Sequence, residues 1–209
     1  TTLAAASCYK HALAAQANEW GGTVIDIHSH LRQGLDANMT HMQGCGVTHA
    51  VLLARTNANE QIAGMQAKYP KIFSWAASAD ITKPEAADVL TKAVKAGASG
   101  FGELKFHVAA DGPELQRMYA LAAELNVPIL VHFQEVPHFE GEGNWSTGFK
   151  NFAAMLKKYP KTKFLGHADA FWANVSADYH EEAAYPSGPI KRGVVTDQLL
   201  SDFPNFFGD

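Results

Sequence analysis

The sequence predicts an α/β fold and, within that class, a TIM-like (β/α)8 barrel that stops before its last βα unit. Three observations carry this prediction. From Gly22 onward, short apolar and β-branched runs alternate with helical stretches. The runs are apolar on both faces, which is the pattern of a parallel sheet covered by helices. Polar residues, histidine above all, stand at the C-terminal ends of the first, fourth, fifth and sixth runs. In a barrel those ends converge on one mouth; in a doubly wound sheet they spread along an edge, except at the switch point.

The expected strands are Thr23–Ile27, Ala50–Ala54, Ile72–Ala77, Gly100–Phe106, Pro128–Phe133 and Lys163–Gly166, with a seventh at Phe203–Phe207. Pro84, after Thr82-Lys83, and Pro113, after Asp111-Gly112, are placed as first-turn prolines, where the missing N–H has no helical partner to lose. In the second of these helices Leu115, Met118, Ala122 and Leu125 recur at three- and four-residue spacing and form one apolar face. Tyr69-Pro70 and Tyr159-Pro160 each close a Lys-containing helix before a strand, because proline disfavours helical backbone in the residue before it. Six or seven strands can be counted where a closed barrel has eight, so one further βα unit is expected beyond Asp209.

Composition narrows the function. The 209 residues suit one domain, 47% hydrophobic and 18% charged, which is globular rather than disordered. The net charge is −4 with no basic run, which argues against nucleic acid as the main partner. No apolar run is long enough to span a bilayer. A small-molecule substrate is the expected partner, and homo-oligomerisation is left open.

The chain starts at Thr1 without a methionine, and Thr1–Ala17 is Ala-rich. Ala15-Gln16-Ala17 has the small-residue pattern of a signal-peptidase site. Residues 1–17 read as the remnant of an export signal ahead of a barrel domain at 18–209, with a periplasmic destination. The alternative is an ordinary amphipathic helix, given Lys10 and His11, and a cytoplasmic protein. Ala6-Ser7-Cys8 also resembles an imperfect lipoprotein site. With the leader removed Cys45 is alone, so no internal disulfide forms. In Gly44-Cys45-Gly46 it reads as a small buried residue rather than a nucleophile.

Asp26-Ile27-His28-Ser29-His30 is the strongest chemical signal. His28 and His30 are two apart at a strand end, so both face one side. Neutral imidazoles held in this way make half of a metal site. Glu103 and Lys105 are likewise two apart in an otherwise apolar run, and need partners or a metal if they face inward. An inward Glu–Lys pair or a solvated strand end would also explain them. His132 follows Pro128-Ile129-Leu130-Val131, and His167 follows Lys163-Phe164-Leu165-Gly166. Asp169 shares the orientation of His167 if the strand continues, and would then orient an imidazole. Two long loops, Gln134–Gly148 and Ala168–Pro189, carry Glu135, His138, Glu140, Glu142, Trp145, Phe171, Trp172, Tyr179, His180, Glu181 and Glu182 as candidates for a substrate wall or lid. No Gly-x-Ser-x-Gly elbow is present. Gly97, Gly100 and Gly102 open no helix, so they are not a dinucleotide loop.

On His28-Ser29-His30, Gly102-Glu103-Leu104-Lys105, Val131-His132 and Gly166-His167, the chain resembles the amidohydrolase superfamily. The likeness is to its amidohydrolase-2 branch, which includes aminocarboxymuconate-semialdehyde decarboxylase, and covers residue 22 to the end. The resemblance implies a distorted barrel with one or two divalent ions at its mouth, zinc being expected and manganese the alternative. It implies His28, His30 and His132 as ligands, Glu103 as a fourth-strand ligand, and His167 as a ligand or a catalytic base. Lys105 would be a carbamylated bridge in other branches. The aspartate that the family places after the eighth strand is not carried over to Asp209, which falls at the seventh run. The implied activity is hydrolysis of an amide, ester or lactone through a metal-activated water. The alternatives are decarboxylation of an unsaturated carboxylate, a metal-free hydrolase of the same fold, and a metal-free ligand-binding barrel.

Overall fold

The computed structural model describes residues 20–181, 183–192 and 195–209. The export-signal reading of Thr1–Ala17, Cys8 and the loop residue Glu182 lie outside the described residues. Seven strands form one parallel sheet in sequence order: β1 (Ile25–His30), β2 (His49–Leu53), β3 (Phe73–Ala77), β4 (Gly100–Leu104), β5 (Ile129–His132), β6 (Phe164–His167) and β7 (Phe206–Gly208). The helices between them are α1 (Leu35–Cys45), α2 (Asn59–Gln66), α3 (Ala86–Lys95), α4 (Pro113–Glu124), α5 (Ala153–Lys158), α6 (Asp169–Ala173) and α7 (Val195–Asp202). Strictly sequential order is the barrel arrangement, since a doubly wound sheet reverses its order at a switch point. His28 near the end of β1 meets Asp209 just past β7, so the sheet curls until the ends of its first and last strands touch. The fold is a (β/α) barrel of the TIM type, with seven strands here.

The strand expectations hold with shifts of at most three residues at their ends. β1 extends through the histidines because its pairing with β2 continues to His30 opposite Leu53, after a register shift between Asp26 and Ser29. β4 stops at Leu104, so Lys105 lies beyond the strand. A second register shift separates Phe101 from Leu104. Gly102 there has φ +145°, and a Cβ would stand 2.8 Å from that of Leu130. The backbone ahead of Glu103 therefore needs glycine.

Two helix signals are corrected. Pro84 lies in the turn before α3, which begins at Ala86. The Asp80 carboxylate accepts hydrogen bonds from the Thr82 N–H and hydroxyl and holds that turn. α2 ends at Gln66, so Lys68 and Tyr69-Pro70 belong to the turn that follows it. Pro113 does open α4, whose Leu115, Met118 and Ala122 are buried. Cys45 is exposed rather than buried. It is the last residue of α1, whose buried side is Leu35, Asn38 and Met42, and Gly46 turns the chain away in left-handed backbone.

The core is aromatic on the β5–β7 side, where Phe133, Phe149, Phe152, Phe164, Phe171 and Phe206 pack with ring centroids 4.9–6.4 Å apart. Burial of each such ring stabilises the fold by roughly 2–3 kcal/mol. Gly166 is part of that packing, because a Cβ on it would lie 2.3 Å from the Phe171 ring. This is the strand that delivers His167.

Candidate metal centre

Six side chains converge at the C-terminal ends of the strands. His28 and His30 come from β1, Glu103 from β4, His132 from β5, His167 from β6, and Asp209 from the residue after β7. Their ligand atoms form three overlapping groups, each within 4.8 Å: His28, His30 and Glu103; Glu103, His132 and His167; His28, His167 and Asp209. All five sequence-predicted ligand positions are brought together.

Glu103 is the hub. Its Oε2 lies 3.4 Å from His30 Nε2 and 3.9 Å from His28 Nε2. Its Oε1 contacts His132 Nδ1 and lies 3.7 Å from His167 Nε2. Burial pushes the Glu103 carboxyl up, but hydrogen bonds from His132 and His30 and the charges of His132 and His167 hold it well below the usual carboxylate range. Burial likewise raises Asp209, yet bonding to His167 (2.8 Å) and to His28 brings it down to about 2. Burial lowers His28, but Asp209 first, then Glu103 and Asp26, raise it on balance.

The donor set fits a divalent ion. Two ligands each about 2.0–2.1 Å from a tetrahedral ion lie about 3.4 Å apart. His28 Nε2 and His30 Nε2 are 3.2 Å apart, and His30 Nε2 and Glu103 Oε2 3.4 Å. Imidazole with carboxylate is a set that zinc and other first-row metals accept. The two Glu103 oxygens face different histidine pairs, Oε2 toward His28 and His30 and Oε1 toward His132 and His167.

The strand end is held in place from α1. Asn38, fully buried, donates to the Ser29 hydroxyl (3.3 Å) and the His30 carbonyl (3.0 Å), and accepts from the Arg32 N–H (3.0 Å). The signal in the sequence is a polar residue on the apolar face of a helix.

Lys105 is not brought into the cluster. Its ammonium lies 3.9 Å from Glu142 and 5.0 Å from the Trp145 ring. Asp169 does not orient His167. The strand ends at His167, Ala168 takes φ 72°, and the chain turns into α6. Asp169 instead faces His138 Nε2 at 2.6 Å, and Asp209 is the partner of His167. Burial, then its bond to Asp169, pushes the Tyr185 hydroxyl up to about 12. Among the loop candidates Phe171 is fully buried core, so it cannot wall a substrate. Asp209 and Gln134 are the site residues that sequence reasoning missed.

A cavity of about 220 Å³ opens beside the cluster, lined by His30 and Glu103 together with Arg55, Thr56, Ser78 and Lys105. A larger hollow of about 570 Å³, between Gln33–Ala37 and Met65–Tyr69, touches none of the six. The smaller cavity reaches both His30 and Glu103, and a neighbouring one of about 280 Å³ reaches His30.

No protein-family model and no curated protein matches the chain. Several solved structures do. A protein from Staphylococcus aureus described as a putative amidohydrolase is 17% identical with a TM-score of 0.58, over 89% of this chain and 78% of that one. The 2,6-dihydroxybenzoate decarboxylase from Rhizobium is 13% identical with a TM-score of 0.53, over 89% and 78%. A probable 2-pyrone-4,6-dicarboxylic acid hydrolase from Acinetobacter baumannii is 15% identical with a TM-score of 0.50, over 71% of this chain and only 59% of that protein. The chain shares the barrel fold of these proteins.

Proposed function

We propose that this chain is a metal-dependent hydrolase of the amidohydrolase type, acting on an amide, ester or lactone bond of a small molecule. The observation that carries the reading is the convergence of six donor side chains from five strand ends into three overlapping groups. His28, His30, Glu103 and His132 would hold one ion; His167 would be a ligand of a second ion or, beside a single one, the catalytic base, with Asp209 between His28 and His167. Zinc suits these donors, with manganese as the alternative. When bound, a divalent ion supplies Lewis acidity at neutral pH, polarising a carbonyl and lowering the pKa of water.

The protein's own groups handle the proton. With a single ion held by His28, His30, Glu103 and His132, His167 is left as the catalytic base at Nε2. Asp209, 2.8 Å from His167 Nδ1, accepts a hydrogen bond there and stabilises the imidazolium that forms. Arg55 and Lys105 line the cavity beside His30 and Glu103, which favours a substrate bearing a carboxylate. That cationic pair also supports a second reading, decarboxylation of an unsaturated acid on the same site.

Metal stoichiometry tests the reading, measured by mass spectrometry on the full-length protein purified without chelators. One or two equivalents per chain are expected; less than about a tenth of an equivalent after zinc and manganese supplementation overturns it in favour of a metal-free barrel. Product analysis then separates hydrolysis from release of carbon dioxide. Export to the periplasm belongs to the same proposal and rests on the Ala-rich stretch Thr1–Ala17. A mature N-terminus near Asn18 in the periplasmic fraction is expected, and an uncut cytoplasmic protein contradicts it.

A further inference from the structure

His132 has two ring nitrogens, and in a neutral imidazole one carries the proton while the other offers a lone pair. Which is which follows from a chain of contacts leading away from the centre. Gln134 is fully buried, and its Oε1 lies 2.9 Å from His132 Nε2. Its amide nitrogen is 2.9 Å from Glu142 Oε2. Glu142 Oε2 also accepts the His138 backbone N–H at 2.7 Å, while His138 Nδ1 and Lys105 Nζ lie 3.3 and 3.9 Å from this carboxylate. The His138 N–H, then the Gln134 amide and the charges of His138 and Lys105, hold the Glu142 carboxyl below its usual range. An ionised carboxylate can only accept, so Gln134 turns its NH2 group toward Glu142 and its carbonyl toward His132. A carbonyl also only accepts, so Nε2 carries a proton. Nδ1, which donates to the Glu103 carboxylate, is the nitrogen left facing the centre, and it gives up its proton when a metal ion binds there.

We propose that Glu142 and Gln134 are positioning residues that lock His132 in its Nε2–H tautomer and so present Nδ1 to the metal. The inference rests on the metal-centre reading above. The loop fold serves the same end. Gln134 and Trp145 exchange backbone hydrogen bonds of 2.8 and 3.0 Å, closing the loop and bringing Glu142 back against Gln134. The segment that sequence reasoning assigned to substrate specificity thus contains a support for a ligand. Such outer partners set the tautomer, orientation and basicity of metal-bound imidazoles.

The test uses the zinc-loaded full chain. Long-range ¹H–¹⁵N correlation of His132 is expected to show Nδ1 bound to zinc and Nε2 protonated. In Glu142→Gln the new amide can donate or accept, which frees Gln134 to turn over. Zinc affinity by chelator competition should then fall about tenfold to a hundredfold, with the thermal midpoint of the metal-free variant little changed. Zinc on Nε2 overturns the lock, and so does an affinity in Glu142→Gln within about twofold of wild type. If wild type takes up no zinc, the metal-centre reading fails and the lock falls with it; zinc on the wrong nitrogen fails the lock alone. Should the variant not fold, the wild-type spectrum decides.

Discussion

The β1 side and the β5 side of the centre hold their histidines in contrasting ways. His132 on β5 is buried with both ring nitrogens engaged, one by Glu103 and the other by Gln134. His30 on β1 has a side chain 49% exposed, and its Nε2 faces His28 and Glu103. The first is a preorganised wall backed by the aromatic core; the second borders the cavity that contains Arg55 and Lys105. On the proposed function, the buried side would fix ligand geometry and the open side would admit substrate. Glu103 joins the two.

Removing that joint should have the largest effect. Glu103→Gln keeps the shape but loses the charge shared by both sides, and metal affinity is expected to drop roughly a thousandfold, about 4 kcal/mol. Near-wild-type metal content after dialysis would remove Glu103 from the centre. Next comes stability of the metal-free fold. His132→Ala leaves a buried carboxylate short of a partner and should cost about 3 kcal/mol, whereas His30→Ala at the exposed edge should cost less than about 1 kcal/mol. Urea unfolding of the two variants measures this, and equal losses would erase the contrast between the sides.

The pH dependence sharpens it further. His28 is raised, so its contribution is fully present below its unfolded value and is lost as pH rises through the folded one. Glu103 and Asp209 are depressed, so theirs is present above their unfolded values and is lost as pH falls, for Asp209 toward about 2. Metal-free stability should therefore peak between about pH 4.5 and about pH 6.5 and decline on both sides. Zinc needs deprotonated ligands, so the metal-loaded protein should gain stability over the same alkaline range. A metal-free unfolding midpoint that climbs between about pH 6 and about pH 8 would contradict the ion-pair network. The smallest effect on metal is expected from Lys105→Ala, whose ammonium faces Glu142 and Trp145. Metal content should stay at wild type, while loss of an equivalent would revive the carbamate role.

Much of this was legible before the fold. Period-two spacing put His28 and His30 on one side, and apolar runs ending in His132 and His167 marked two more strand ends. Alternation places Asp169 beside His167, but Ala168 breaks the strand between them. The glycines flanking Cys45 mark where its helix ends but not what covers its last turn, which leaves Cys45 exposed. Asp209 follows the seventh run, where the sequence carries no sign of a ligand, and only the curl of the sheet brings the residue after β7 to His28.

The sequence by itself determined the parallel sheet, the approximate strand positions and, together with the family resemblance, five candidate donor residues, because these depend on local periodicity and residue chemistry. The tertiary structure decided what each donor touches. Glu103 shared between two pairs, Asp209 between His28 and His167, and Gln134 behind His132 join residues as far as 181 positions apart in the chain. Such contacts are set by barrel curvature and loop closure, and no local pattern in the chain encodes them.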